Sequence, residues 1–326
     1  MAKSARGVDA KLARMRGLRT EPITPQLISQ LCEALTDKSN FVAAAAAEIV
    51  GERALTDLVP DLVAAFHRFL EDAIETDKTC RAKIAIVEAL HKLDADEEEV
   101  YRVAVRYVQS EPAWGRPEDT AVPLRATAAF ALLRMNPRDL MVLLADLLAD
   151  KAKGARSAAA KALGASGALA AIPLLRFKAR VGDEEPEVVV ECLSGLMAAD
   201  PAESLDFVGG FLDADEEVAE GAALALGESR RPEALAILQK HWPRARRHES
   251  LGNVVLLAIA ITRLPAAVDF LLEVLANESE PAAAGALSAL AIHRHNPAIR
   301  DRVAAAMAKK GAGLKKAFEK EFRAEG

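Results

Sequence analysis

The stretch ARSAAAKALG, residues 155–164, decides the fold. It is rich in alanine, the residue of highest helix propensity, and a glycine closes it. An apolar residue followed by small residues at helical spacing recurs along the chain. The copies are FVAAAAAEIVG (41–51), AKIAIVEALH (82–91), LRATAAFALL (124–133), VVVECLSGLM (188–197), VAEGAALALG (218–227), NVVLLAIAIT (253–262) and AAAGALSALA (282–291). Their ends fall at 51, 91, 133, 164, 197, 227, 262 and 291, with a period of about 31 after two longer early units. Self-similarity at such a period marks an array of stacked units.

Each run follows a second helix-sized segment, such as LISQLCEAL (27–35), DLMVLLADLL (139–148) or AVDFLLEVL (267–275). Apolar residues there recur three and four apart, as an amphipathic helix requires. Pro137, Pro201, Pro232, Pro265 and Pro297 stand where a missing N–H costs least, at helix starts. Asp37, Asp150 and Asp213 fall between the helices of a pair, where a short carboxylate caps the helix that follows. One hairpin leaves its apolar face uncovered, whereas a stack buries it. The expectation is an all-α chain, an α-solenoid (superhelix) of about eight helical hairpins over residues 25–296. A basic N-terminal arm or helix (1–24) precedes it, and C-terminal capping helices (297–326) close it.

These units resemble HEAT repeats, in particular the short HEAT-like repeats of phycobilisome lyases. That pattern runs as Asp, a few residues, Val-Arg, then alanines ending in Ala-Leu-Gly. Asp150 with Ala155, Arg156, Ala159, Ala160 and Ala162–Gly164 follows it, and Lys83 and Arg125 keep its basic position. Ala43 and Ala219 depart from it. The resemblance implies that the second helix of each pair lines a concave face. Carried over unit by unit, the facing residues are Glu48, Glu88, Phe130, Lys161, Ser194, Leu224, Ile259 and Ser288.

Composition supports the helical reading and narrows function. Apolar residues make up 51% and aromatics 4%, too few for a strand-built core. No apolar run reaches the ~18–20 residues of a membrane span. Three scattered cysteines without CxxC spacing argue against a disulfide framework and point to the cytoplasm. The chain carries −6, but its first twenty residues carry +5 and residues 309–326 carry +3, so the body between them holds −14. The arm is Arg-rich like a transit peptide but lacks the serine, so a targeting segment and a plain basic helix both stand as readings.

Motifs that carry chemistry are missing. There is no GxxxxGK[ST], no GxGxxG, no HExxH and no GxSxG. DADEE at 94–98 and 213–217 lacks the glycine and distal glutamate of a calcium loop and reads as helix starts. His293 and His295 point to different faces of a helix. No cofactor, metal or catalytic residue is expected.

The candidate contact residues are instead anomalies of a repeat. Trp114 and Arg116 sit in the proline-rich insertion SEPAWGRPEDTAVP (110–123), and Trp242, Arg244, Arg246 and Arg247 in HWPRARRHES (241–250). Phe130 and Leu224 are the large apolar entries among the facing positions. Trp242 has two readings, an edge-loop contact or, with Leu235 and Leu238, the end of a buried helix face. The arginines are expected in a loop after a break at Pro243, either solvated or holding an acidic motif.

The function expected is a non-enzymatic protein–protein interaction scaffold or adaptor with a protein or peptide partner. Resemblance to HEAT-like alkylpurine DNA glycosylases offers nucleic-acid binding as an alternative, against which the acidic body weighs. The resemblance to phycobilisome lyases offers a tetrapyrrole lyase or chaperone role.

Overall fold

The computed structural model describes residues 2–308 and 310–322, with side chains from Gly7 onward. Lys3 and Arg6 of the basic arm, and Lys309, Arg323 and Glu325 of the tail, lie outside the described side chains. The chain divides into two compact units, residues 1–162 and 163–326.

In the first unit α1 (Ala2–Leu18) precedes a pair made of α2 (Pro25–Leu35) and α3 (Asn40–Glu52). The second pair is α4 (Val59–Arg68) and α6 (Arg81–Lys92), with the one-turn α5 (Ala73–Thr76) between them. The third is α7 (Glu98–Ala104) and α8 (Val122–Met135), joined through a two-stranded ribbon of β1 (Ser110–Glu111) and β2 (Glu118–Asp119). The fourth is α9 (Leu140–Leu148) and α10 (Lys153–Ala165), and the division between units falls inside α10.

The second unit continues with α11 (Ala171–Val181) and α12 (Pro186–Ala199), then α13 (Pro201–Gly209) and α14 (Glu216–Glu228). Next come α15 (Pro232–Ala245) with α16 (Glu249–Ile261), and α17 (Pro265–Asn277) with α18 (Glu280–Leu290). α19 (Pro297–Met307) and α20 (Ala312–Glu321) follow. Among the described residues this makes eight hairpins, and the fold is an α-solenoid of HEAT-like type.

Two local devices repeat. The second helix of six pairs ends on a left-handed residue: Ala54, Asp94, Asn136, Gly167, Arg230 and Arg263. The amides of Leu55 and Ala95 then reach back to the carbonyls of Val50 and Leu90, both at 3.0 Å. This closes the helix and turns the chain toward the next pair. The other device is the glycine near the end of the second helix. A Cβ on Gly51 would lie 2.9 Å from the Ala89 Cα, and one on Gly164 only 2.4 Å from the Gly195 Cα. One on Gly227 would lie 2.4 Å from the carbonyl oxygen of Ala258. Neighbouring second helices thus meet backbone to backbone, which only a residue without a side chain permits.

The basic arm is an amphipathic helix lying on α3, with Met15 and Leu18 buried. Lys11 pairs with Asp37 at 2.5 Å, and Arg19 reaches Glu52 at 2.9 Å as well as Glu48. Two local expectations change. Pro137 stands in the turn before α9 rather than inside the helix. Asp37 and Asp150 accept from the amides of Ser39 and Ala152, at 2.8 and 2.7 Å, but Asp213 is drawn instead onto Arg244.

Candidate partner-binding sites

The insertion between α7 and α8 is a ribbon with a buried base and a bare tip. Pairing of Ser110 with Asp119 and Glu111 with Glu118 sets its register. Gln109, 2% exposed, donates to the Asp77 carbonyl at 2.7 Å and to Glu111 at 2.6 Å. Glu111 also accepts from the Thr79 amide at 2.7 Å and the Thr120 hydroxyl at 2.8 Å, so a neighbouring pair holds the first strand. Arg125, 1% exposed, clamps the second. Its guanidinium binds Asp119 at 2.6 Å, the Tyr107 carbonyl at 2.8 Å and Asp150 at 3.0 Å.

The same network continues inward. Lys83 and Asp77 are both fully buried and pair at 2.8 Å. Lys83 also donates to the Phe69 carbonyl at 3.0 Å, while Asp77 accepts from Asn40 at 3.1 Å and the Ala82 amide at 2.8 Å. The charges are therefore compensated by hydrogen bonds on nearly every side, the condition under which ions survive burial. Burial alone would raise the Asp119 carboxyl, but Arg125 and the Ala121 amide outweigh it and hold it below the usual range. Glu111 is lowered likewise, with the bonds from Gln109, Thr120 and Thr79 overcoming its burial. Nearby, burial pushes the Cys80 thiol up to about 12 despite the Lys83 ammonium, which makes it inert.

Beyond this base, the tip turns through Gly115 at φ 104° and presents Trp114 fully to solvent, at 106% of its reference exposure. Arg116 is exposed beside it. Among the described residues neither side chain has a partner. Val108, 58% exposed, adds apolar surface just before the ribbon.

The basic stretch differs from its expectation. Trp242 is not an edge-loop contact. It lies inside α15, 5% exposed, and completes the buried face begun by Leu235 and Leu238. α15 does not break at Pro243 but runs to Ala245, because a proline in the last turn removes a single bond at an exposed face. Arg244 pairs with Asp213 at 3.0 Å and Arg246 with Glu278 at 2.6 Å, each acid about one repeat away. These two arginines therefore link neighbouring pairs. Arg247 is exposed and has no partner among the described residues. It shares a cleft of about 510 Å³ with Asp213, Glu216, His241, Arg244 and His248. His241 is 9% exposed, and burial lowers its pKa so that the neutral ring is favoured. Neither histidine is among the contacts expected from sequence, although both stand in the basic stretch.

Phe130 on α8 and Leu224 on α14 are each half-buried. Glu48, Glu88, Phe130, Lys161 and Leu224 all stand six residues before the left-handed residue that ends their helix. By that ruler the seventh position is Leu257, also half-buried, and not the fully buried Ile259. The apolar run around it hid the register. Ser194 is half-buried and Ser288 exposed. Among the described residues no group of three or more His, Cys, Asp or Glu is placed to hold a metal, and no helix is long and apolar enough to cross a membrane.

No family model and no curated protein matches the chain. Two of the solved structures that are similar to it follow. The Escherichia coli protein YibA shares 15% identity over 84% of this chain and 94% of its own, with a TM-score of 0.48. Human deoxyhypusine hydroxylase, solved in complex with glycerol, shares 18% identity over 78% of this chain and 91% of its own, with a TM-score of 0.32. The repeat architecture is read from the helix pairs themselves, and no activity passes from either protein to this chain.

Proposed function

We propose that this chain is a non-enzymatic protein-interaction scaffold whose Trp114 ribbon anchors a protein partner. The observation that carries the reading is the contrast between the ribbon's base and its tip. Gln109 and Arg125 are buried in a hydrogen-bonded network, while Trp114 is wholly exposed a few residues away. A loop serving only as a connection has no need of so fixed a base. A rigid base under an exposed indole lowers the entropy lost on binding. Tryptophan and arginine are also the side chains that most often dominate interface energy, and the tip presents one of each. Phe130 and Leu224 add apolar surface on the second helices of their own pairs.

The test is a quantitative pull-down from cell lysate with wild type and Trp114→Ala side by side. Proteins enriched by wild type should be lost with the variant, since truncating such an anchor costs about 2 kcal/mol or more, roughly thirtyfold in affinity. The melting temperature should stay unchanged because the indole touches nothing in the fold. Equal capture by both proteins would remove the ribbon from the site.

A further inference from the structure

Two adjoining clefts in the second unit, of about 510 and 370 Å³, share Leu212, Asp213, His241 and Arg244 in their walls. They form where the turn between α13 and α14 meets the C-terminal end of α15. We propose that this double cleft docks a short acidic–apolar peptide segment of a protein partner. A carboxylate of that segment takes the place of Asp213 on Arg244 and pairs with Arg247, and its apolar neighbour lies against Leu212 and Leu251.

Four features support this occupant. Arg247 is a cation without a partner among the described residues, and it lines the larger cleft. The Arg244–Asp213 pair is exposed at both ends, 71% and 59%, so exchanging one carboxylate for another costs little. His241 is nine-tenths buried and lines both clefts, yet among the described residues its ring makes no hydrogen bond; the Asp213 Oδ1 is 3.8 Å away. It is thus a fixed polar group awaiting a partner in the cleft. The leucines provide the apolar floor that a bare anion does not need. Glu216 lines the larger cleft, with Asp215 and Glu217 beside it in the sequence and Glu249 beside His248, and this acidic setting disfavours a long polyanion.

In this proposal Asp213 is a built-in competitor, which gives the test its signature. The probe is a fluorescently labelled, end-blocked Leu-Glu-Leu-Glu peptide, titrated by anisotropy against the full chain at fixed ionic strength. Saturable binding is expected, weakened roughly tenfold or more in Arg247→Ala by loss of a charge-assisted bond. Asp213→Asn should bind severalfold more tightly, and the Leu-Gln-Leu-Gln peptide should not bind. Absence of saturable binding overturns the proposal, as does equal affinity in Arg247→Ala or weaker binding in Asp213→Asn. Stronger competition by inorganic phosphate or a DNA oligonucleotide than by unlabelled peptide overturns it too. Arg247→Ala removes no hydrogen bond or ion pair among the described residues, and unchanged circular dichroism checks that the fold is kept. The inference rests on the scaffold reading, but the two fail separately. Trp114→Ala leaves peptide binding intact, whereas Arg247→Ala leaves the ribbon intact.

Discussion

The two units join their helix pairs in different ways. In residues 1–162 buried ionic joints are added to the close backbone approach of Gly51 to Ala89. Asp77 and Lys83 pair out of reach of solvent, Asn40 reaches Asp77 from the preceding pair, and Arg125 is shared between Asp119 and Asp150 of the following one. In residues 163–326 the joints at Gly164–Gly195 and Gly227–Ala258 are made of backbone contact. The charges have moved to the surface there, as Arg244–Asp213 and Arg246–Glu278. One spacing marks where charge is buried, and it varies within the first unit too, where Ala43 stands six residues after Asp37. Six residues after the turn aspartates 77 and 119 stand Lys83 and Arg125, but six after Asp183 and Asp213 stand Val189 and Ala219. Where the position is basic, a ladder of charges threads the pairs. Where it is apolar, it enters the core. The lesson is that close backbone approach at glycine is common to both units, while a basic residue six after the turn aspartate adds a buried ionic ladder to the first.

The sharpest way to break this comparison is at Asp77. Asp77→Ala leaves the Lys83 ammonium buried without a counter-charge and strips acceptors from Asn40 and the Ala82 amide. A loss of about 3–5 kcal/mol is expected in denaturant unfolding followed by circular dichroism. A loss below about 1 kcal/mol would mean that the ladder does not hold the first unit together. The steric mode is tested at Gly164. In Gly164→Ala the new methyl meets the backbone of Gly195, which has no side chain to swing away. Overpacking of this kind costs about 1–3 kcal/mol, offset by the ~1 kcal/mol by which alanine favours a helix over glycine. An unchanged midpoint would show that the second helices part freely. The smallest effect belongs to the surface pairs. Arg246→Ala should shift stability by no more than about 1 kcal/mol, and the shift should shrink as salt is raised.

The sequence displays the repeat plainly because alanine and glycine mark where helices must come close. The same kind of spacing places Leu235, Leu238 and Trp242 on one face, and that face is indeed the buried one. Other features are hidden by distance along the chain. Gln109 and Glu111 anchor the ribbon through Asp77 and Thr79, about thirty residues earlier, so nothing local announces their role. The acids that neutralise Arg244 and Arg246 likewise lie 31 and 32 residues off, in neighbouring pairs. In α16 every residue from Val254 to Ile261 is apolar, so the pattern does not separate Leu257 from Ile259. Arg263, left-handed at the end of that helix, makes the distinction.

The placement of the two tryptophans has a spectroscopic consequence. Trp242 is enclosed in the second unit with an indole N–H that finds no acceptor among the described residues, and Trp114 stands in water on the first. Their emission should separate by colour, with a blue component shielded from iodide and a red component fully open to quenching. Melting of the second unit would move only the blue component, and a partner settling on the ribbon would move only the red. The chain thus carries its own pair of optical reporters, one for the folding of the second unit and one for the surroundings of the ribbon, without any added label.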